Sequence, residues 1–575
     1  MIIDYLEIEN FRNLGGCKIH FHTECNYIIG ENNIGKSNLL FLLDTVINGK
    51  RLSEDDFFDS NTPVEVLIHI KLSENEIGFF DDAFSPEDSS LVKLRVTFDP
   101  SALYPTYICV DSGETLSFKK LRKLHFIRYN STANPEKELK PDSSKGVGLL
   151  VNHLIEKYTS ENDVSELINS DVINGVEGYL NNYLNKIQGF RKYSISATAS
   201  STAVEKIARL FRLTDGKRSI ELTGSGVQYM TMASVNVLSQ ILRIYNSKTN
   251  SFDDQIFSDE NGKRFFPIIL SIDEPEVHLH PYLQRSLINY YKRILKNQDR
   301  EFLDLLRDCF DIDGLSGQLL IVTHSTDALI DDYRNLIRFY RDNDTTNVVC
   351  GSKLTLRNDK EEKHLLMHFP EIKEAFYAKC AILVEGETEY GCMHSFARTL
   401  NISLDDNSIC VLNAQGEKTI EPTKQLLEKF GIKSVVIYDR DVGQGHTPEP
   451  NKFFTNELCF EIEIVKKLYA LNKQEVIKQI VEERDSNGKN KALSADYIKK
   501  PYEKIGRDIN SYSPKKLSDI SDNDRDEFCD MFSCWLMKNK GILLGRIVGE
   551  ILTQEQIPVC YADAIRKAKE IAENA

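Results

Sequence analysis

Residues 30–37, Gly30-Glu-Asn-Asn-Ile-Gly35-Lys36-Ser37, fit the spacing G-x-x-x-x-G-K-[ST]. A loop of this kind wraps a phosphate in backbone N–H groups at the N-terminus of a helix. Gly30, Asn33 and Gly35 belong to the wrap. Lys36 would reach the β- and γ-phosphates, and the Ser37 hydroxyl would hold Mg²⁺. Other stretches offer complementary groups. "FFPIILSIDEPEVHLHP" is an apolar strand ending in Asp273, suited to the Mg²⁺ shell, and Glu274, suited to orient or deprotonate an attacking water. "QLLIVTHST" ends in His324-Ser325, and a histidine there can donate to a γ-phosphate oxygen. In "LTGSGVQYM", Ser225 and Gly226 open an apolar helix whose first N–H groups point outward. His278 and His280, two apart in "EVHLHP", read as loop residues rather than half of a metal site.

A second set of acids lies far downstream. "AILVEGETEYG" delivers Glu385 at a strand tip and Glu389 on the helix that follows; "SVVIYDRDVG" delivers Asp439 and Asp441. In a parallel sheet the C-terminal ends of the strands face one crevice. Three or four carboxylates meeting there repel one another unless a divalent cation joins them. All-oxygen donors suit Mg²⁺ or Mn²⁺, not zinc. Two such ions, about 4 Å apart, would activate a water and stabilise a leaving oxygen. Glu461 and Glu463 in "NELCFEIEIVKKLY" are further acids, although first-turn glutamates are common simply because they favour the helix dipole. Lys538 and Lys540 precede a helix in "MKNKGILLGRIVGEIL", and a lysine beside such a site can neutralise charge at a scissile phosphate.

The elements that must position these groups imply an α/β fold with two domains. Residues 1–130 read as β-rich, with a first strand, "MIIDYLEIENFRN", of alternating character placed at a sheet edge. From about 145 to 213 the periodicity is helical with no strands between, an insertion suited to an arm or a dimer contact. Strand and helix alternate again over 218–340. The apolar strand at 381 starts a second domain, so the expected division is 1–375 and 376–575, with a mostly helical tail from 461.

A chain of 575 residues exceeds one core. Its net charge of −16 argues against a protein that coats nucleic acid generally, while leaving room for a local groove. "KKLRKLHFIR" (119–128) and "KKPYEK" (499–504) are locally basic, and each reads as a solvated face. No apolar run approaches the roughly 20 residues needed to span a bilayer, and the N-terminus lacks the features of a signal peptide. The 12 cysteines include no C-x-x-C pair, which fits reduced, buried thiols and a cytoplasmic location.

The order phosphate loop, Gly-Ser-Gly helix, Asp-Glu strand and His-Ser strand resembles the ABC/SMC/RecF-like P-loop ATPases. The Glu-Gly and Asp-x-Asp strands resemble the Toprim domain. Together they resemble the OLD (overcoming lysogenization defect) family of ATP-dependent nucleases, an architectural group that includes the nuclease subunit of Gabija anti-phage systems and retron-associated effectors. The resemblance implies an ATP-regulated, Mg²⁺- or Mn²⁺-dependent DNA endonuclease or nickase in anti-phage defence. It implies a homodimer or higher oligomer through ATPase heads, with Ser225 and Gly226 touching the γ-phosphate held by the other subunit. It places Glu385, Glu389, Asp439, Asp441, Glu461 and Glu463 at the metals and Lys540, or Lys538 in its stead, at the lysine position. A helicase, or a reverse transcriptase with its RNA–DNA, are the partner classes it suggests; no membrane is implied. The family's acidic motif is Leu-Glu-x-Asp-like, whereas this chain has Phe-Glu-Ile-Glu. The alternative from another class is a RecF- or SMC-like DNA clamp or repair protein whose Toprim-like domain does not cut. A topoisomerase or primase would need a further module that the sequence does not display.

Overall fold

The structure is a computed structural model and describes residues 1–80, 83–117, 120, 122–130, 133–141, 143–161, 170–199, 211–216, 218–247, 251–342, 345–355, 359–440 and 449–574. The chain forms two compact units, Met1–Leu354 and Thr355–Ala575.

In the first unit, period-2 alternation builds an antiparallel five-stranded sheet. Its order is Lys18–His20, Ile2–Glu9, Val64–Lys71, Leu91–Phe98 and Thr106–Cys109. Val64, Val66, Ile68 and Ile70 point inward and their neighbours outward, as a half-buried strand requires. The N-terminal strand alternates as expected, but it is not an edge. It pairs with Lys18–His20 on one side and Val64–Lys71 on the other, because a short return strand closes its open flank. A bulge between Ile3 and Tyr5 lets Ile3 and Leu6 share the buried face.

A seven-stranded sheet carries the chemistry of this unit. Five strands run parallel in the order His125–Asn130, Arg264–Asp273, Gly314–Val322, Cys25–Gly30 and Leu336–Asp342. Phe257–Ser258 and Thr345–Cys350 add antiparallel margins. Cys25–Gly30 is buried along its whole length, as a parallel strand covered on both faces must be. The helix Lys36–Asn48 packs Leu39, Leu42, Leu43 and Val46 into a core shared with Ile28, Ile269 and Leu320 and with the antiparallel sheet. Helix Ser225–Tyr245 packs beside helix Pro281–Leu295, whose Tyr291 hydroxyl donates to Ala233 O at 2.7 Å.

The insertion departs from its expected all-helical character. Gly146–Glu161, Ser170–Leu184 and Gln188–Lys192 are helices, but Ser196–Ala199 and Phe211–Thr214 pair as antiparallel strands, and the helical reading of 201–210 lies outside the described residues. Phe211 and Leu213 are buried while Arg212 is exposed, so the period there is two. The short window "FRL" satisfies both periods, and pairing decides between them.

The second unit is built on a four-stranded, wholly parallel sheet in the order Ile409–Asn413, Cys380–Val384, Lys433–Tyr438 and Lys452–Phe454. Helices Glu387–Thr399 and Glu417–Lys429 make the crossovers. From Phe460 to Glu573 the chain is mainly helical and supplies much of a core centred on Phe460, Phe528, Trp535 and Tyr561. Helix Glu387–Thr399 crosses helix Ile542–Ile551 at small residues. A Cβ on Gly545 would lie 2.1 Å from Thr388 O, and one on Gly391 2.6 Å from Ile542 O. Glycine is therefore what permits the two backbones to meet. All twelve cysteines are buried and free of disulfides, and no helix among the described residues is long and apolar enough to cross a membrane.

Candidate active sites in the two units

The sheet order of the first unit explains how residues far apart in sequence share one edge. The strand ending at Val322 lies between the strand that feeds the phosphate loop and the strand that ends in Asp273. Three adjacent C-terminal ends thus present Gly30–Ser37, His324 and Asp273–Glu274 side by side. Gly30 has φ 140°, and a Cβ there would lie 2.3 Å from Phe339 O, so the neighbouring strand leaves room for hydrogen only. Asn33 takes the left-handed region at φ 59°, which asparagine tolerates. Lys36 is buried and folds its ammonium back onto the loop, donating to Gly30 O at 2.9 Å and Glu31 O at 2.5 Å. Burial pushes its pKa down to about 8, against the opposing pull of Glu274, Asp273 and Glu276.

Ser37 Oγ lies 3.4 Å from Asp273 Oδ1, the arrangement expected of two groups that would share one cation shell. The other Asp273 oxygen accepts from Arg128, which stands on the neighbouring parallel strand. Glu274 has φ 54°, and its N–H donates to Val322 O at 2.8 Å. A non-glycine residue held there is strained, and such strain gathers at functional sites. Glu276, which the sequence did not single out, accepts from Thr323 Oγ1 at 2.7 Å and from the His324 N–H at 2.5 Å. It thereby fixes the histidine loop, and burial raises its pKa. The His324 imidazole is lowered by burial and then by Lys36. Ser225 stands exposed at the start of its helix, and Gly226 lies against Leu283 and the backbone of His278. His278 stacks on Tyr229 with ring centroids 4.4 Å apart, and His280 caps helix Pro281–Leu295, so both histidines have structural roles.

In the second unit, Glu385 and Asp439 directly follow strands Cys380–Val384 and Lys433–Tyr438, which are hydrogen-bonded neighbours. Glu389 sits on the first turn of the helix behind Glu385, and Glu461 on the first turn of helix Phe460–Ala470. These four acids line one crevice of about 910 Å³, together with Lys500, Lys504, Lys538 and Lys540. Asp441 lies outside the described residues. Glu463 is not brought into the crevice. It is buried one turn beside it and accepts from Asn456 N at 2.6 Å and Asn456 Nδ2 at 3.1 Å, fixing the segment before the helix.

Thr388 ties the crevice together. Its hydroxyl donates to Glu461 Oε1 at 3.2 Å and accepts from the Gly541 N–H at 2.9 Å. It therefore links the acid of one helix to the segment that bears Lys540. Burial and the surrounding acids, Glu461 before Glu385, raise the Glu389 pKa to about 8. Burial, Glu389, Glu385 and Glu461 raise Asp439 to about 9. The carboxylates feel one another's charge, but among the described residues no three Asp, Glu, His or Cys side chains stand as a ready-made chelate. Like charges at this range hold one another apart. The donor set is all oxygen, which fits a hard divalent cation such as Mg²⁺ or Mn²⁺.

Two families match different stretches of the chain. The AAA ATPase domain family matches residues 1–163 and 150–329, together more than half of the chain. The overcoming lysogenization defect protein-like TOPRIM domain matches residues 376–441. The chain is 22% identical over 473 residues to the Old nuclease of Escherichia phage P2, covering 72% of this chain and 73% of that one. It is 23% identical over 461 residues to the Endonuclease GajA of Bacillus cereus (strain HuB5-5), covering 72% of this chain and 62% of that one. Similar solved structures include the SmcHead bound to the C-winged helix domain of ScpA, at 16% identity and TM-score 0.34 over 61% of this chain and 98% of that one. Another is the C-terminal region of the Xanthomonas campestris pv. campestris OLD protein, at 21% identity and TM-score 0.24 over 35% and 96%.

Proposed function

We propose that this chain, which belongs to the AAA ATPase domain family and carries an OLD-like TOPRIM domain behind it, is a divalent-metal-dependent DNA endonuclease or nickase governed by ATP. The observation that carries the reading is the crevice at Glu385 and Asp439. Two adjacent strand tips and two helix first turns set five carboxylates, Glu387 among them, against a rim of lysines. A surface with no task for a cation has no reason to bury acids together.

In this reading Glu385, Glu389, Asp439 and Glu461, with Asp441, hold Mg²⁺ or Mn²⁺, and Glu463 supports them by fixing the segment before their helix. Bound metal supplies an activated water and charge stabilisation at the scissile phosphate. Lys540 is the choice for the lysine that offsets charge on that phosphate, because it bears on Glu389. Lys538 instead lies over the Tyr497 ring. In the first unit, Lys36 and the loop N–H groups hold the ATP phosphates, while Ser37 and Asp273 hold its Mg²⁺. Glu274 handles the attacking water, and His324 donates to the γ-phosphate. The exposed Ser225 and Gly226 meet the nucleotide of a second copy, so that ATP joins two heads. Defence against phage DNA in the cytoplasm, with a helicase or a reverse transcriptase as partner class, is the setting that the resemblance to the OLD family implies.

The test is supercoiled plasmid incubated with the full chain and Mn²⁺ or Mg²⁺, with and without ATP. Open-circular or linear product is expected from the wild type. Glu385→Ala should cut on the order of ten-thousand-fold more slowly, the scale on which loss of a central catalytic group is felt, and should hydrolyse ATP normally. Undiminished cutting by that variant would sink the assignment.

A further inference from the structure

The locally basic stretch at 499–504 is more than a solvated face. It ends helix Ala495–Lys504, which buries Ile498 and Pro501 and leaves Lys500 and Lys504 exposed, one turn apart, on the wall of the carboxylate crevice. Lysines at i and i+4 repel each other within a helix, so local helix stability does not account for the pair. Their placement is fixed from the other wall. The Tyr497 hydroxyl accepts from Asn539 Nδ2 at 3.0 Å, and the Lys538 ammonium lies 5.3 Å from the Tyr497 ring centroid. The helix and the segment that bears Lys540 are therefore held against each other. Charge is distributed across the acids accordingly: Lys504 bears on Asp439, and Lys540 bears on Glu389.

We propose that Lys500 and Lys504 form a phosphate-binding subsite that seats the DNA strand beside the cut. Their Cα atoms are separated by about 6 Å along the helix axis, and the two ammonium groups take backbone phosphates flanking the scissile one. The subsite rests on the nuclease reading for its location, not for its chemistry. A chain with net charge −16 repels DNA at long range, so a local cationic rim has to hold the strand against that field.

The experiment titrates the full chain, in EDTA, against a fluorescein-labelled duplex oligonucleotide by anisotropy over a series of NaCl concentrations. The Lys500→Ala/Lys504→Ala double variant should bind about 10-fold more weakly and show a shallower dependence of log K on log[NaCl]. The slope should drop by roughly 0.7–0.9 for each lysine removed. Lys500→Arg/Lys504→Arg should retain the wild-type slope, and so should Lys499→Ala, which removes an exposed lysine of the same helix. With Mn²⁺ and plasmid, the double alanine variant should raise KM and keep kcat at saturating DNA. Unchanged affinity and slope in the double variant, or an equal loss in Lys499→Ala, overturns the subsite while leaving cutting by the wild type intact. Absence of cutting by the wild type, with the slope change present, overturns the nuclease reading and supports the subsite.

Discussion

The two candidate sites handle charge in opposite ways. At the phosphate loop the acids and the base are satisfied largely by the protein itself. Asp273 is held by Ser37 and Arg128, Glu276 by Thr323 and the His324 N–H, and Lys36 by loop carbonyls. In the carboxylate crevice, Glu389 and Asp439 are lifted far above the ordinary carboxylate range. A pocket that neutralises itself is prepared for a ligand bringing both charges at once, as a nucleotide with its Mg²⁺ does. A pocket that leaves acids mutually destabilised is prepared for bare cations. The two halves should therefore fail separately, and differ in how pH and metal act on them.

At the phosphate loop the largest effect should come from Lys36→Ala. Without the ammonium at the β- and γ-phosphates, ATP turnover should fall by on the order of a hundred-fold or more. Metal-dependent plasmid nicking, measured without ATP, should persist, because every crevice acid is intact. Parallel loss of both activities would collapse the distinction between the sites.

A mixing experiment sharpens it. Ser225→Arg and Lys36→Ala should each hydrolyse ATP poorly alone, yet mixtures that exchange subunits should regain part of the turnover. Each mixed dimer would contain one composite site with both halves sound. No recovery in demonstrably mixed dimers counts against a shared nucleotide.

A smaller effect should appear in stability against pH. Glu389 and Asp439 both sit above their unfolded values, near 4 for ordinary carboxylates. Between those values and about 8 to 9, the metal-free folded chain holds protons that the unfolded chain has released. Their contribution is therefore fully present below about pH 4 and is lost as pH rises toward 9. The melting temperature of EDTA-treated protein should fall by a few degrees more from about pH 5 to about pH 8.5 than that of Asp439→Asn. Mn²⁺ should raise the wild-type value more at the higher pH, since binding then displaces fewer protons. Equal slopes in the two proteins would show that Asp439 is not buried among acids.

An effect of similar size should come from Thr388→Val. It leaves the Gly541 N–H and Glu461 without their shared hydroxyl, at a cost of about 1–2 kcal/mol, or roughly 2–8 °C of melting temperature. ATP turnover should be unaffected. A change in hydrolysis without a change in melting would be the contrary result.

Much of this was legible in the sequence for a physical reason. An apolar run that ends in an acid announces both a buried strand and its tip, and Asp273, Glu385 and Asp439 all follow that rule. The glycine–lysine–serine spacing likewise states its own backbone geometry. What stayed hidden depends on pairing across long separations. Nothing near Arg128 in sequence points to Asp273; only the parallel register of their strands does. Lys500 and Lys504 looked like solvent charges because the opposite wall of their crevice lies some forty residues on, around Lys540. Phe211, Arg212 and Leu213 read as the end of a helix because three residues fit either period until a partner strand is present.

The glycine crossing between Glu387–Thr399 and Ile542–Ile551 has a consequence for how the protein is made. A growing chain exposes Glu385, Glu389 and Asp439 well before Lys540, Gly545 and Gly549 leave the ribosome. Until those last residues emerge, the helix behind Glu385 has no backbone to close upon, and Thr388 has no Gly541 N–H to receive. The N-terminal unit, complete by Leu354, has by then had time to fold, as domains do in order of synthesis. Translation thus delivers the phosphate-loop unit first and completes the carboxylate crevice last.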